Sequence, residues 1–254
     1  MSAQEFTVSA FVVRRVATGE SDLVVSLFTR ERGRLDAYAR AGRKSRRRFQ
    51  AGLSPCLLYQ GLLSPARRGS LWTLEEMTVA RPAAVLVTRP GRMVVGQYAT
   101  ELVRELSPPE VPEPELFGRL DAFFLRLDQA PTPTWRDWIG FELAVLAAAG
   151  VDPELGCCVS CRRPRSGVGW GFSVTAGGLL CPACGRGQVM PAWNPGWNAE
   201  FSDPSDPSGP SDPSDPSGLS ELSDLLESWI FTVLNRKLNA RGLCRSVFAG
   251  PTGW

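Results

Sequence analysis

Two short cysteine motifs give this sequence its clearest capacity for chemistry. They are Cys158-Val-Ser-Cys161 and Cys181-Pro-Ala-Cys184, with 19 residues between them. Each Cys-x-x-Cys motif forms a tight knuckle, and the four thiolates of two knuckles can close a tetrahedral shell around a zinc ion. The adjacent Cys157 lies one residue too far from Cys161 for a simple knuckle. We therefore predict Cys158, Cys161, Cys181 and Cys184 as zinc ligands, with Cys157 as a spare thiol that could exchange with Cys158.

Four thiolates leave no open position for water or substrate, so the predicted zinc site is structural rather than catalytic. The segment between the two motifs, GVGWGFSVTAGGLL, is typical of a β-hairpin, as found in zinc ribbons. An iron–sulfur cluster and a redox-active dithiol remain open as alternatives, because both also use closely spaced cysteines.

The second feature is a run of positive charge between residues 40 and 48, which we call the basic loop. It places six basic side chains in nine residues: Arg40, Arg43, Lys44, Arg46, Arg47 and Arg48. Like charges this close repel one another, and a polyanion offsets that repulsion while it releases counterions. The pattern therefore favours nucleic acid as the ligand. An anionic protein partner and a merely solvated loop are the alternatives.

Residues on either side of the basic loop could extend this surface. Arg14, Arg15 and Arg34 are predicted to add cations, as Arg30 and Arg32 could also do. The rings of Tyr38 and Phe49 are predicted to stack on bases, because small barrels combine a basic groove with aromatic side chains to hold single strands. Each ring could equally belong to the core.

The absence of histidine excludes several classes of enzyme. The 254 residues contain none, which rules out a Ser-His-Asp triad, a Cys-His dyad and an HExxH zinc protease. The sequence also contains no GxxxxGK[ST] loop for nucleotide phosphates. We therefore predict a binding protein rather than an enzyme.

Charge divides the chain into unlike halves. Residues 1–90 carry 15 Arg/Lys and 7 Asp/Glu, whereas residues 91–254 carry 13 and 19. Such asymmetry indicates a polyanion-binding module at the N-terminal end. Neither a membrane span nor a signal-peptide pattern is evident, and an odd total of seven cysteines argues against a disulfide framework. We expect a cytoplasmic protein with no membrane partner.

Periodicity predicts the elements that must position these residues. Five short strands with glycine-containing turns in the first 80 residues favour a small closed barrel. Three amphipathic helices follow between Pro90 and Gly150, and another is expected at about 219–240. The Ser-Asp-Pro-Gly tract at 202–218 is predicted to be a disordered linker. The expected domains are 1–80 for the barrel and 81–254 for the helices, with a zinc module at about 155–190.

Taken together, these motifs resemble the RecO family of DNA repair proteins. The resemblance rests on the run FVVRRVATGESDLVVSLFTRERGRLDAYARAGRKSRRRFQAGLSP, especially GESD, and on CVSC…GGLLCPAC further along the chain. It implies an α+β fold, in which a five-stranded OB-type β-barrel precedes an α-helical domain with a four-cysteine zinc-ribbon-like insertion. The tract at 202–218 departs from the family pattern.

The resemblance also implies a function in recombinational DNA repair. A protein of this family would bind single- and double-stranded DNA and anneal complementary strands. It would act with RecR and with the acidic C-terminal tail of single-stranded DNA-binding protein (SSB), and would help to load RecA at the nucleoid. The alternative from the residues alone is a zinc-stabilised scaffold for protein interactions, in which the basic surface only steers encounter.

Overall fold

The computed structural model describes residues 5–66, 71–188, 190–192 and 216–249. The described chain divides into two compact units, with boundaries between Pro133 and Thr134 and between Lys237 and Leu238. The first unit contains the barrel together with helices from both sides of the second unit in sequence. The second unit contains the cysteine motifs.

The first unit is built on a closed barrel of five strands, which confirms the predicted OB-type architecture. The strands are β1 Phe6–Thr18, β2 Asp22–Thr29, β3 Gly33–Ala39, β4 Leu58–Ser64 and β5 Trp72–Arg81. They are hydrogen-bonded in the order β1-β2-β3-β5-β4, and β4 pairs back onto β1. The β3–β5 pair is parallel, with Ala37 opposite Trp72, and the other pairs are antiparallel. Closure removes the exposed edges that an open sheet would have.

Strand β3 shows why this sequence forms a barrel wall. Leu35, Ala37 and Ala39 alternate with polar residues and are buried, which is the period of two expected of a half-buried strand. The intervening side chains, among them Arg34 and Tyr38, face the other side and are half-buried.

The described part of the first unit also contains four α-helices and a short 3-10 helix, Gln50–Leu53. The α-helices are α1 Ala84–Thr88, α2 Pro90–Leu106, α3 Pro114–Gln129 and α6 Arg241–Ala249. Helix α3 packs against the barrel, because the ring of Phe11 lies 5.1 Å from that of Phe117 and 5.0 Å from that of Phe124. These ring contacts join α3 to the barrel within one compact unit.

The second unit pairs two helices with a small hairpin. Helix α4 is Trp135–Ala148 and helix α5 is Pro216–Leu234, and strands β6 Gly171–Ser173 and β7 Gly178–Leu180 form the predicted antiparallel hairpin. Helix α4 begins with a capping box between Thr134 and Asp137. The indole N–H of Trp229 on α5 donates to the carbonyl of Val151 at 2.9 Å, which ties α5 to the segment after α4.

The C-terminal helix differs from its prediction. A single helix was expected at about 219–240, but α5 ends at Leu234 and a separate helix, α6, begins at Arg241. Asn235 follows α5 with a φ of 51°, and this left-handed conformation ends a helix. The predicted linker overlaps α5 at residues 216–218, and its remainder, 202–215, lies outside the described residues. None of the described helices combines the length and apolar character needed to cross a bilayer.

Candidate functional site

The hairpin of the second unit brings the four predicted cysteine ligands together. Cys158 and Cys161 lie in the loop before β6, and Cys181 and Cys184 follow directly after β7. The backbone N–H of Val159 donates to the carbonyl of Leu179 at 2.9 Å, which holds the first knuckle beside the second. All four Sγ atoms lie within 4.8 Å of one another.

The cluster fits a four-coordinate metal ion. The Sγ atoms of Cys161 and Cys181 are 3.8 Å apart. A tetrahedral shell with Zn–S bonds of about 2.3 Å requires sulfur atoms about 3.8 Å apart. Cys157 is not part of this cluster, although it precedes Cys158 directly. The structure therefore brings together the ligand set chosen from the spacing.

The protonation of the cluster also suits a cation. Burial raises the pKa of Cys158, but backbone N–H groups of Cys161, Cys181 and Ser160 outweigh burial and bring the pKa to about 6. The backbone N–H of Cys184 lowers the pKa of Cys181. The Ser160 hydroxyl has the largest single effect and lowers the pKa of Cys184. The sulfur atoms of Cys181, Cys161 and Cys158, together with burial, outweigh it and raise this pKa to about 12. A bound cation would offset the repulsion that keeps this last thiol protonated.

The basic loop is held against the start of β2. The carboxylate of Asp22 accepts two hydrogen bonds, one from the hydroxyl of Tyr38 and one from the backbone N–H of Ala41 at 2.7 Å. The backbone N–H of Arg43 donates to the carbonyl of Ser21 at 2.9 Å. These bonds fix the position at which the loop leaves the barrel wall.

Three arginines of this surface converge on one concave site, which we call the arginine pocket. It has a volume of about 440 Å³ and is lined by Arg15, Arg43 and Arg46, together with backbone near Gly52. Nη1 of Arg15 donates to the carbonyl of Gly52 at 2.8 Å, and Nη1 of Arg43 lies 3.4 Å from the carbonyl of Glu20. A Cβ built on Gly52 would lie 2.5 Å from Nη1 of Arg46, so this guanidinium rests against the glycine.

The backbone beneath the arginine pocket is strained. Ala51, Gly52 and Leu53 all have positive φ, of 48°, 61° and 56°. This conformation costs roughly 1–3 kcal/mol for each residue other than glycine, and such strain concentrates at functional sites. Here it turns the Gly52 carbonyl toward Arg15 and leaves room for Arg46. Gly52 was not among the residues predicted from the sequence. A glycine soon after a run of basic residues is the pattern that could have indicated it.

The other predicted cations do not line this pocket. Arg14, Arg40, Lys44 and Arg47 are exposed. Arg48 is half-buried, because Nη2 donates to the carbonyl of Arg40 at 2.6 Å. Nε of Arg34 donates to the carbonyl of Ser107 at 3.1 Å, so this side chain also fastens β3 to the end of α2.

The two predicted stacking rings have other contacts. Phe49 is fully buried, with 0% of its surface exposed, so the prediction that its ring stacks on a base is wrong. The physical reason is that the carbonyl of Arg48 accepts the backbone N–H of Met77 at 2.7 Å, which draws this end of the loop onto β5. Tyr38 is half-buried and its hydroxyl is bound to Asp22. This bond holds β3 to the start of β2 beside the basic loop, and the stacking role of the Tyr38 ring stays a prediction.

The fold and these two sites define a class of protein, in which an OB-type barrel with a basic surface is joined to helices and to a cluster of four cysteines close enough to bind a metal ion. Residues 1–83 match the family model "Recombination protein O N terminal", and residues 88–196 match "Recombination protein O C terminal". The chain belongs to the recombination protein O (RecO) family of DNA repair proteins.

Individual relatives support this assignment. The chain is 41% identical over 179 residues to the DNA repair protein RecO of Anaeromyxobacter dehalogenans (strain 2CP-C), covering 69% of each chain. It is 36% identical over 184 residues to that of Myxococcus xanthus (strain DK1622), covering 69% of this chain and 71% of the relative. It is 34% identical over 182 residues to the RecO protein of Syntrophus aciditrophicus (strain SB), covering 71% of this chain and 70% of the relative.

Proposed function

We propose that this protein is a recombination mediator that binds single- and double-stranded DNA through the barrel and anneals complementary strands. The observation that carries the proposal is the arginine pocket, in which two of three guanidinium groups contact backbone carbonyls and the third rests on Gly52. Fixed guanidinium groups lose less conformational freedom on binding, and each can donate two hydrogen bonds to one phosphate.

Annealing in this proposal needs no covalent chemistry. Two DNA strands repel one another through their phosphates, and the basic loop offsets that repulsion while their bases find partners. The exposed side chains of Arg14, Arg40, Lys44 and Arg47 would add phosphate contacts. Arg48 would contribute beside Arg40, and Arg34 would contribute at the start of β3, away from the pocket. Contacts of this kind position a strand without specifying its sequence.

We propose zinc as the ion in the cysteine cluster and assign it a structural role. Zinc favours four thiolates in tetrahedral geometry, and a closed shell leaves no place for substrate. Cys158, Cys161, Cys181 and Cys184 would hold it, joining the two knuckles of a hairpin whose strands have only three residues each. The ion would thus supply stability that so small a hairpin lacks.

The proposal extends to partners through family membership. The protein would work with RecR and with the C-terminal tail of SSB, and would help RecA to load on SSB-coated DNA at the nucleoid. It would act as a mediator rather than as an enzyme. These statements rest on membership of the RecO family, in which the relatives are named DNA repair proteins.

Binding of a fluorescent single-stranded 25-mer across a salt series tests the DNA-binding step. The variant R15A/R43A/R46A removes the arginine pocket, and R89A/R119A/K237A removes the same charge elsewhere. We expect the pocket variant to bind at least about tenfold more weakly at low salt. The slope of log K against log salt should fall by about 2, because each lost phosphate contact contributes about 0.7 for a single strand.

A pocket variant that matches the control variant in affinity and slope would overturn the assignment of this surface. Failure of the wild-type protein to bind DNA at any salt concentration would favour the scaffold alternative.

A further inference from the structure

Burial of Phe49 removes one of the two rings that were predicted to stack on a base. Within the described part of the barrel, Phe11, Phe28, Phe49 and Tyr59 are fully buried. Phe6 and Trp72, by contrast, are half-buried. They begin β1 and β5, and their ring centroids lie 5.0 Å apart with an interplanar angle of 88°.

These two rings share a site with an arginine, which we call the aromatic pocket: Phe6, Arg32 and Trp72. The Cζ of Arg32 lies 4.0 Å from the ring centroid of Phe6 and 5.7 Å from that of Trp72. The pocket has a volume of about 520 Å³, and its walls include Leu35 and Glu110. A flat guanidinium group beside two rings offers stacking surfaces of the kind that nucleobases use.

The polar groups of the aromatic pocket suit a base better than a phosphate. Glu110 accepts the indole N–H of Trp72 at 3.2 Å, which fixes the ring and brings a carboxylate to the site. Glu31 also lines the pocket, and its carboxylate accepts the backbone N–H of Ser9 at 3.0 Å. Two carboxylates repel phosphate, whereas their oxygens can accept hydrogen bonds from the amino groups of bases.

The aromatic pocket and the arginine pocket lie toward opposite ends of strand β3. Leu35 of β3 lines the aromatic pocket, and Gly42, just beyond the end of β3, lines the arginine pocket. Seven residues separate them, and the chain turns after Ala39, so the two residues lie less than about 23 Å apart. That span is within reach of one strand, because OB folds commonly occupy about 4–16 nucleotides.

We propose that the aromatic pocket binds a nucleobase of a single strand whose phosphates occupy the arginine pocket. This inference rests on the proposed function, and it separates the two kinds of contact. The arginine pocket holds the backbone of any nucleic acid, and the aromatic pocket holds an unpaired base by stacking on Trp72, Phe6 and Arg32. Stacked bases in a duplex are not available to it, so the pocket gives a preference for single strands.

The test compares a base-bearing 12-mer with an abasic 12-mer of the same backbone length and charge. Wild-type protein should bind the base-bearing strand at least about fivefold more tightly, since one stacked base contributes that much or more. Trp72→Ala should remove this difference while leaving affinity for the abasic strand within about twofold of wild type. Trp72→Phe keeps a ring and should retain most of the difference.

Matched variants make each outcome informative. Trp135→Ala removes a half-buried indole from the second unit and should leave the difference unchanged. R15A/R43A/R46A should weaken binding of both strands by the same factor. Equal affinity of wild-type protein for the two strands, or a Trp72→Ala variant that keeps the difference, would overturn the base site. If Trp72→Ala loses the difference but the arginine variant binds normally, the base site stands and the proposed phosphate site fails.

Discussion

The hydroxyl of Tyr38 donates a hydrogen bond to the carboxylate of Asp22, and this bond connects β3 to the start of β2 at the root of the basic loop. It is the main cause of the lowered pKa of Asp22, with the backbone N–H of Ala41 as the second cause. The same bond raises the pKa of Tyr38. A tyrosine chosen from the sequence for base stacking thus positions the loop that carries the cations.

Replacing Tyr38 with phenylalanine tests this contact. The pKa of Asp22 is held below the ordinary value of 3.8, so its stabilising effect is complete at neutral pH and is lost as pH falls through the folded-state pKa. Tyr38→Phe should move the Asp22 titration upward toward 3.8, as measured by carboxyl NMR. An unchanged titration would show that the hydroxyl does not hold the carboxylate.

Gly52→Ala should weaken DNA binding through Arg46. The new Cβ would lie 2.5 Å from Nη1 of Arg46 and would displace that guanidinium from the arginine pocket. Gly150→Ala is the matched control, because Gly150 also has positive φ, 68°, but has nothing within 4 Å of a new Cβ. Both variants should lose about 1–2 kcal/mol of unfolding free energy from backbone strain. Only Gly52→Ala should lose affinity, and equal affinities in the two variants would contradict this role for Arg46.

The two adjacent cysteines should differ sharply on substitution. Cys158 belongs to the four-sulfur cluster and Cys157 does not. Cys158→Ser should therefore abolish stoichiometric metal, measured by elemental analysis of the purified protein, and lower the thermal midpoint. Cys157→Ser should retain one metal ion per chain and the wild-type midpoint. Full metal content in Cys158→Ser would mean that Cys157 substitutes for it.

Glu101 should be required for docking of helix α6. Its carboxylate is buried and accepts the backbone N–H groups of Asn239 and Ala240, each at 3.1 Å, at the start of that helix. Glu101→Ala would leave these donors without a partner, at a cost of roughly 1–3 kcal/mol in unfolding free energy. Glu115→Ala removes an exposed carboxylate and should change stability little. Urea denaturation would measure both, and equal effects would contradict the docking role.

Local patterns in the sequence were sufficient for the barrel and the cysteine cluster. The burial pattern of β3 follows the alternation of apolar and polar residues along the chain. The cysteine cluster follows from the spacing within its two motifs, at Cys158, Cys161, Cys181 and Cys184. The same holds for helix α4, which is one of the three amphipathic helices predicted between Pro90 and Gly150.

Contacts between residues far apart in the chain could not be predicted from local sequence patterns. Phe6, Arg32 and Trp72 come from three separate segments, and barrel closure alone brings them together. Burial of Phe49 depends on the hydrogen bond from the backbone N–H of Met77 to the carbonyl of Arg48, which no local sequence pattern predicts. The predicted helix at about 219–240 runs past the end of α5 at Leu234, because the left-handed residue that ends α5 is Asn235 rather than a glycine, and α6 at Arg241–Ala249 was not predicted.

Annealing of two complementary oligonucleotides tests the central claim most directly. The rate should be measured on naked and on SSB-coated strands, with wild-type protein and with R15A/R43A/R46A, across a salt series. The account predicts that wild-type protein accelerates annealing of both substrates and that salt reduces this acceleration. The acceleration by the variant should be smaller by a factor of at least about ten. Equal acceleration by the variant, or none by the wild-type protein, would contradict the account.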